Sequence, residues 1–94
     1  MRVLVTGSEG FLGKVLCREL HRCSHDVIGY DVSVGNDILD VDMLHQAMSK
    51  CDVCIHLAAM ADLYIAEHEP ELARRINIDA TKSLLEVANK HGVR

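Results

Sequence analysis

The sequence predicts an α/β fold with three main parallel strands, at most one short edge strand beside them, and flanking helices. Three observations carry this. Short apolar runs alternate with amphipathic stretches, a glycine triplet joins the first run to the first helix, and an acid closes the second run. Strands separated by helices imply a parallel sheet with right-handed crossovers.

The elements follow in order along the chain. Residues 2–6 form a β-rich run. Leu12, Val15, Leu16, Leu20 and Cys23 then recur every three or four residues, which predicts a helix over 11–23 with one buried stripe. Residues 26–30 make the second strand. Val32-Ser33-Val34-Gly35 leaves no room for a helix before Asp37, only for a short edge strand. Asp40 suits the N-cap of a helix at about 41–49, with Leu44 and Met48 facing inward. Residues 52–58 are nearly continuous in apolar character, as in a strand buried on both faces. Pro70 fits the first turn of a long last helix, whose stripe is Leu72, Ile76, Ala80, Leu84 and Ala88 and whose stop is Gly92. No repeat, linker or low-complexity tract interrupts the pattern.

Composition narrows the function classes. The 94 residues amount to one small domain, 49% of it hydrophobic, so a core is expected and disorder is not. A net charge of −4 without a basic cluster argues against nucleic acid or an anionic membrane as partner. The aromatics are Phe11, Tyr30 and Tyr64, too few for base-stacking platforms. No apolar run suits a signal peptide or a membrane helix, so a soluble, cytoplasmic protein is expected. The cysteines agree with a reducing compartment. Cys51 and Cys54 form a C-x-x-C with no second pair to complete a zinc site, and His21, Cys23 and His25 make only a faintly metal-like grouping. No metal is expected.

The chemistry concentrates at Thr6-Gly7-Ser8-Glu9-Gly10-Phe11-Leu12-Gly13. Gly7 lets the backbone turn out of the strand. Gly10 removes a side chain where a pyrophosphate must approach the main chain, and Gly13 lets the helix pack closely. The helix N-terminus then offers free N–H groups and a positive dipole end to phosphate. Asp31 ends the second strand roughly 20 residues on, where an acid can accept both hydroxyls of an adenosine ribose and repel a 2′-phosphate. Glu9 adds negative charge, and no arginine adjoins Asp31 in sequence, so NAD is expected over NADP. An aspartate in that place can also simply cap a strand end.

Four segments together resemble an extended short-chain dehydrogenase/reductase, the NAD-dependent epimerase/dehydratase family that works on nucleotide sugars. Thr6-Gly7-x-x-Gly10-Phe11-Leu12-Gly13 is similar to that family's T-G-x-x-G-F-(I/L)-G. Asn36-Asp37-Ile38-Leu39-Asp40 resembles its G-D-(I/L)-x-D. Asp52-Val53-Cys54-Ile55-His56-Leu57-Ala58-Ala59 resembles its D-x-V-(I/V)-H-L-A-A strand. Asn77-Ile78-Asp79-Ala80-Thr81, followed by Leu84-Leu85-Glu86, resembles its N-x-x-(G/A)-T-x-x-(L/I)-L-(E/D) helix.

The resemblance implies a partial Rossmann fold over 1–94, truncated before the catalytic segment. It implies a cofactor site in which Phe11 and Leu12 give main-chain N–H groups to the pyrophosphate, beside Gly7, Gly10 and Gly13. Asp31 would hold the ribose and Asp37 the adenine amino group, with Ile38 closing one side of the base. Leu57, Ala58 and Ala59 would pass beneath the cofactor. Asn77 would brace the backbone around the nicotinamide site, although it also reads as a helix-surface amide.

Two departures limit the resemblance. The shortened link between Asp31 and Asp37, with His68-Glu69-Pro70-Glu71-Leu72-Ala73, is similar to the branch that reduces 4-keto sugars on deoxythymidine diphosphate, where some members accept either nicotinamide cofactor. The family's chemistry also needs a tyrosine with a lysine four residues later. Here Tyr30 is followed at that spacing by Val34, and Tyr64 by His68. No catalytic residue is therefore assigned. His56, in its apolar strand, reads as a packed or site-lining histidine, and Asp62 as a residue that faces substrate only in a full enzyme.

Three functions remain open. The chain is the NAD(P)-binding portion of a nucleotide-sugar epimerase, dehydratase or reductase, inactive by itself, with the sugar nucleotide bound only in a longer chain. It is a stand-alone, non-catalytic dinucleotide-binding module. Or it is an interaction piece whose sheet edge beside 52–58 pairs with another chain or self-associates.

Overall fold

A computed structural model describes residues 1–58 and 67–94. Three parallel strands make one sheet in the order β2-β1-β3: β1 (Arg2–Thr6), β2 (Asp26–Tyr30) and β3 (Val53–His56). Leu4 pairs with Ile28 on one side and Cys54 on the other, and Thr6 with Tyr30 and His56. Strand alternation therefore puts Leu4, Thr6, Ile28, Tyr30, Cys54 and His56 on one face, and Val3, Val5, Val27, Gly29, Val53 and Ile55 on the other.

The helices divide unequally between those faces. α1 (Phe11–Arg22) follows β1, and α2 (Val41–Met48) begins at Asp40, whose carboxylate accepts from the Met43 N–H at 3.1 Å. The last helical stretch runs through α3 (Pro70–Arg74), a π-helical turn (Arg75–Asp79) and α4 (Ala80–Lys90). Leu44 and Met48 of α2 meet Ala80, Leu84 and Val87 of α4, together with Leu4 and Tyr30 of the sheet, in one apolar core. Among the described residues, that face is covered by two helices and the other by α1.

This imbalance corrects two expectations. The stripe of α1 is not buried: Leu12 and Val15 are exposed, and only Gly13 of this helix is buried. β3 is shorter than 52–58 and half-buried throughout, because it borders the sheet and its α1-side residues lie beyond the helix's cover. Its edge is nevertheless met in part. The Arg94 carbonyl accepts from the Cys54 N–H at 2.7 Å, and the Arg94 N–H points to the Asp52 carbonyl at 3.4 Å.

No edge strand forms after β2. Val32–Val34 coil into a 3-10 turn instead. The Asp31 carboxylate accepts from the Ser33 N–H at 3.0 Å, and the Asp31 carbonyl accepts from Val34 and Asn36. Gly35, at φ +92°, closes the turn. The segment thus satisfies its backbone locally and has no need of a neighbouring strand. Similarly, the long helix predicted from Pro70 exists but is broken in pattern. At Arg75–Asp79 the Ala80 N–H donates to the Arg75 carbonyl, five residues back.

Adjacent leucines on α4 provide a test of this packing. Leu84 is buried against the sheet and Leu85 faces solvent. Leu84→Ala is expected to cost about 2–5 kcal/mol in urea unfolding, and Leu85→Ala under about 0.5–1 kcal/mol.

Candidate functional site

At the carboxyl ends of the strands, three backbone segments converge on Gly7. Its N–H donates to the Tyr30 carbonyl at 2.8 Å, which fixes the loop to β2. Its φ is +70°, and a β-carbon there would lie 2.8 Å from the Ala58 nitrogen and 2.9 Å from the Leu57 carbonyl carbon. Conformation and contact both demand glycine. At Gly13 a β-carbon would fall 2.0 Å from the Gly7 carbonyl oxygen, so α1 packs on the loop backbone of Gly7 and Ser8.

Gly10 differs from both. Its φ is −72°, open to any residue, and a β-carbon would meet only the Gly7 carbonyl oxygen at 3.4 Å. The fold itself gives little reason for glycine there. Beyond Gly10, which caps α1 without a side-chain hydrogen bond, the first-turn N–H groups of Phe11, Leu12 and Gly13 have no intrahelical acceptor. Phe11 and Leu12 point their side chains into solvent. Donors, a positive dipole end and an unfilled space on the backbone make a cradle that suits a phosphate.

Asp31 lies beside this cradle. Its two carboxylate oxygens accept from the Glu9 and Ser33 N–H groups, each at 3.0 Å. Partial burial pushes its pKa up. The opposing hydrogen bonds from Ser33 and Glu9, aided by the Lys14 charge, outweigh that and hold the carboxyl below its ordinary value. It is a fixed anion with lone pairs left for hydroxyl donors. It also caps the 3-10 turn, so the structural and the ligand readings of this residue coexist. Lys14 brings a cation that sequence adjacency does not reveal. With Arg18, His21, Cys17, Glu9 and Ser8 it lines a 370 Å³ groove between α1 and β2.

The remaining predicted site residues scatter more widely. Asp37 is exposed; its carboxylate accepts from the Leu39 N–H at 2.9 Å, and its carbonyl accepts from the Tyr30 hydroxyl at 2.6 Å. Burial, with Asp40 and Asp37 nearby, pushes that phenol up to about 12. Ile38 is 8% exposed and belongs to the core, so little of its side chain is left to close on a base. Leu57 and Ala58 press on Gly7, whereas Ala59, Asp62 and Tyr64 lie outside the described residues. Asn77 sits on the exposed side of the π-helical turn.

A polar chain crosses the core face between these points, and sequence reasoning assigned no role to most of it. The Thr6 hydroxyl accepts from the Leu57 and Ala58 N–H groups at 3.0 and 3.1 Å and lies 2.7 Å from Nδ1 of His56. Nε2 of His56 is 2.9 Å from the Thr81 hydroxyl, which donates to the Asn77 carbonyl at 3.1 Å. Thr6 is completely buried. A hydroxyl at the end of an otherwise apolar strand was the available signal.

Among the described residues no cluster of three or more His, Cys, Asp or Glu could hold a metal ion. The four cysteines are unpaired thiols, and burial pushes Cys54 up to about 12. No described helix is long and apolar enough to cross a membrane.

Comparison with known proteins agrees with this geometry. A family model described as the RmlD substrate binding domain matches residues 1–94. A UDP-glucose 4-epimerase of Mycolicibacterium smegmatis is 32% identical over 114 aligned positions, covering 100% of this chain and 36% of that protein. Among solved structures, the Thermus thermophilus UDP-glucose 4-epimerase complexed with NAD superposes with a TM-score of 0.91 at 25% identity, over 100% of this chain and 35% of the other. The Bacillus anthracis dTDP-4-dehydrorhamnose reductase in complex with NADP gives 0.88 at 29% identity, over 99% and 34%. The chain spans about a third of the length of these proteins.

The titrating groups separate into two pH windows. Burial lowers the His56 pKa below 6.5. As pH falls past that value the unfolded chain takes up a proton first, so stability declines until the folded-state pKa is passed. Asp31 and Asp52 are both held below 3.8, so their contributions persist above that value and vanish as pH falls through the folded pKa. Urea midpoints are expected to fall between about pH 7.5 and about pH 5.5, and less so in His56→Gln.

Proposed function

The chain belongs to the RmlD substrate binding domain family, within the extended short-chain dehydrogenase/reductases, and on that premise we propose that it binds a dinucleotide cofactor for a nucleotide-sugar epimerase, dehydratase or reductase. The observation that carries the proposal is Gly10. Among the described residues nothing requires glycine at this position, and it directly precedes the Phe11 and Leu12 N–H groups, which have no acceptor within the helix. A pyrophosphate needs that space and those donors.

The other residues take roles around it. Gly7 and Gly13 hold the loop open by close packing, and Asp31 receives the ribose hydroxyls. Asp37 and Ile38 stand on the adenine side, with the Asp37 carboxylate as acceptor and Ile38 as a mostly buried floor. Leu57 and Ala58, together with Ala59, pass beneath the cofactor, and Asn77 braces the nicotinamide end. NAD is the preferred ligand because Asp31 is a fixed anion where a 2′-phosphate would sit. Lys14 and Arg18 on the adjoining groove offset part of that repulsion, which leaves NADP as the second ligand rather than an excluded one.

The bound group supplies hydride chemistry; this chain's residues hold and orient it. Turnover is assigned to residues outside this set, because no tyrosine here is followed four residues later by lysine. The sugar nucleotide, correspondingly, belongs to a longer chain.

Calorimetric titration tests the proposal directly. Gly10→Ala is expected to keep stability within about 1 kcal/mol while weakening NAD at least about tenfold, since the added methyl occupies the phosphate's place. An unchanged affinity refutes the cradle. Asp31→Ala is expected to weaken NAD by about tenfold or more and NADP by less, because two hydroxyl acceptors go with one repelling charge. An equal loss for both cofactors removes Asp31 from the ribose.

A further inference from the structure

We infer that His56 is a positioning residue: a neutral imidazole in the Nε2–H form that ties the Leu57–Ala58 backbone beside the glycine loop to the π-helical turn at Asn77. Its effect on cofactor affinity rests on the dinucleotide reading above. Its geometry does not.

The tautomer follows from counting donors and acceptors. A threonine hydroxyl has one proton and two lone pairs. At Thr6 both lone pairs are taken, by the N–H of Ala58 and by the N–H of Leu57, which the hydroxyl shares with the Thr6 carbonyl at 3.1 Å. Its proton is then the only group left to fill the 2.7 Å contact with His56 Nδ1, so Nδ1 accepts. A neutral ring that accepts at Nδ1 carries its proton on Nε2. That proton faces the Thr81 hydroxyl at 2.9 Å, and Thr81 in turn spends its own proton on the Asn77 carbonyl. Each link has a donor and an acceptor, and the direction runs one way from β1 to the helix.

The two ends of this chain explain why position matters. Thr6 immediately precedes Gly7, and the two amides it holds belong to the residues on which Gly7 packs. At the far end, the Asn77 carbonyl lies in the π-helical turn, where the regular helix pattern is interrupted. Burial makes the Thr6 end hard to replace. Thr6 is inaccessible to water, and losing its hydroxyl leaves the Leu57 N–H with the Thr6 carbonyl at 3.1 Å but takes from Ala58 the acceptor it has here. A doubly protonated ring would aim a second N–H at an oxygen with no lone pair free.

Long-range proton–nitrogen NMR of the chain at neutral pH reads the ring directly. Protonated Nε2 with bare Nδ1 is expected, and a protonated Nδ1 or a mixture of tautomers overturns the inference. Thr6→Val deletes the donor to Nδ1 and is expected to give mixed tautomers, with Thr6→Ser restoring one. Because Thr6 is wholly buried, Thr81→Val provides a second variant. It is expected to weaken NAD about five- to tenfold with recovery in Thr81→Ser, and an affinity within about twofold of wild type overturns the positioning role. If wild type binds no NAD, the dinucleotide reading fails by itself. Amide exchange at Leu57 and Ala58 then decides the bridge: faster exchange in Thr81→Val supports it, and equal exchange refutes it.

Discussion

The structure depends on a close approach of backbones at Gly7. One residue receives β2 through the Tyr30 carbonyl, the end of β3 through Leu57 and Ala58, and the first turn of α1 through Gly13. Side chains cannot mediate contacts this short. Protein interiors are packed densely enough that an added methyl group at such a point has no place to go. Strand spacing, helix position and loop shape are thereby fixed together, and the free N–H groups of Phe11 and Leu12 point where they do as a result. The proposed phosphate cradle would in that case be a by-product of backbone packing, with very little side-chain chemistry invested.

Where side chains do enter, they act by holding charge and direction. Asp31 is held on both oxygens by main-chain N–H groups, so its orientation is fixed by the fold itself. Lys14 balances it electrostatically from α1. The mixture of a fixed anion with a nearby cationic groove fits a protein whose structural relatives include one complexed with NAD and another with NADP.

Much of this was legible in the sequence because glycine, aspartate and proline act locally. Gly7 and Gly13 are required by φ and by contact, Asp40 caps α2, and Pro70 opens α3. What sequence could not show depends on partners far along the chain. The stripe Leu12, Val15, Leu16 and Leu20 predicted burial, but periodicity reports a face and not whether anything covers it. Val32 to Gly35 left room for at most a short edge strand, yet the Asp31 carboxylate offered the Ser33 N–H a nearer acceptor. The link from Thr6 through His56 to Thr81 spans elements far apart in sequence. No single one of these residues looks exceptional alone, since each is only a threonine or a histidine in an apolar neighbourhood.

The π-helical turn at Arg75–Asp79 has a consequence for how this helix tolerates change in length. It holds one residue more than regular helix needs, and one residue corresponds to about 100° of rotation. Ala73 is buried before this turn and Ala80, Leu84 and Val87 after it. Inserting or deleting a residue at this turn would rotate the start of the helix relative to the buried residues that follow it. Chain length at this point is therefore a setting, fixed to the single residue, that decides which way the start of the helix faces.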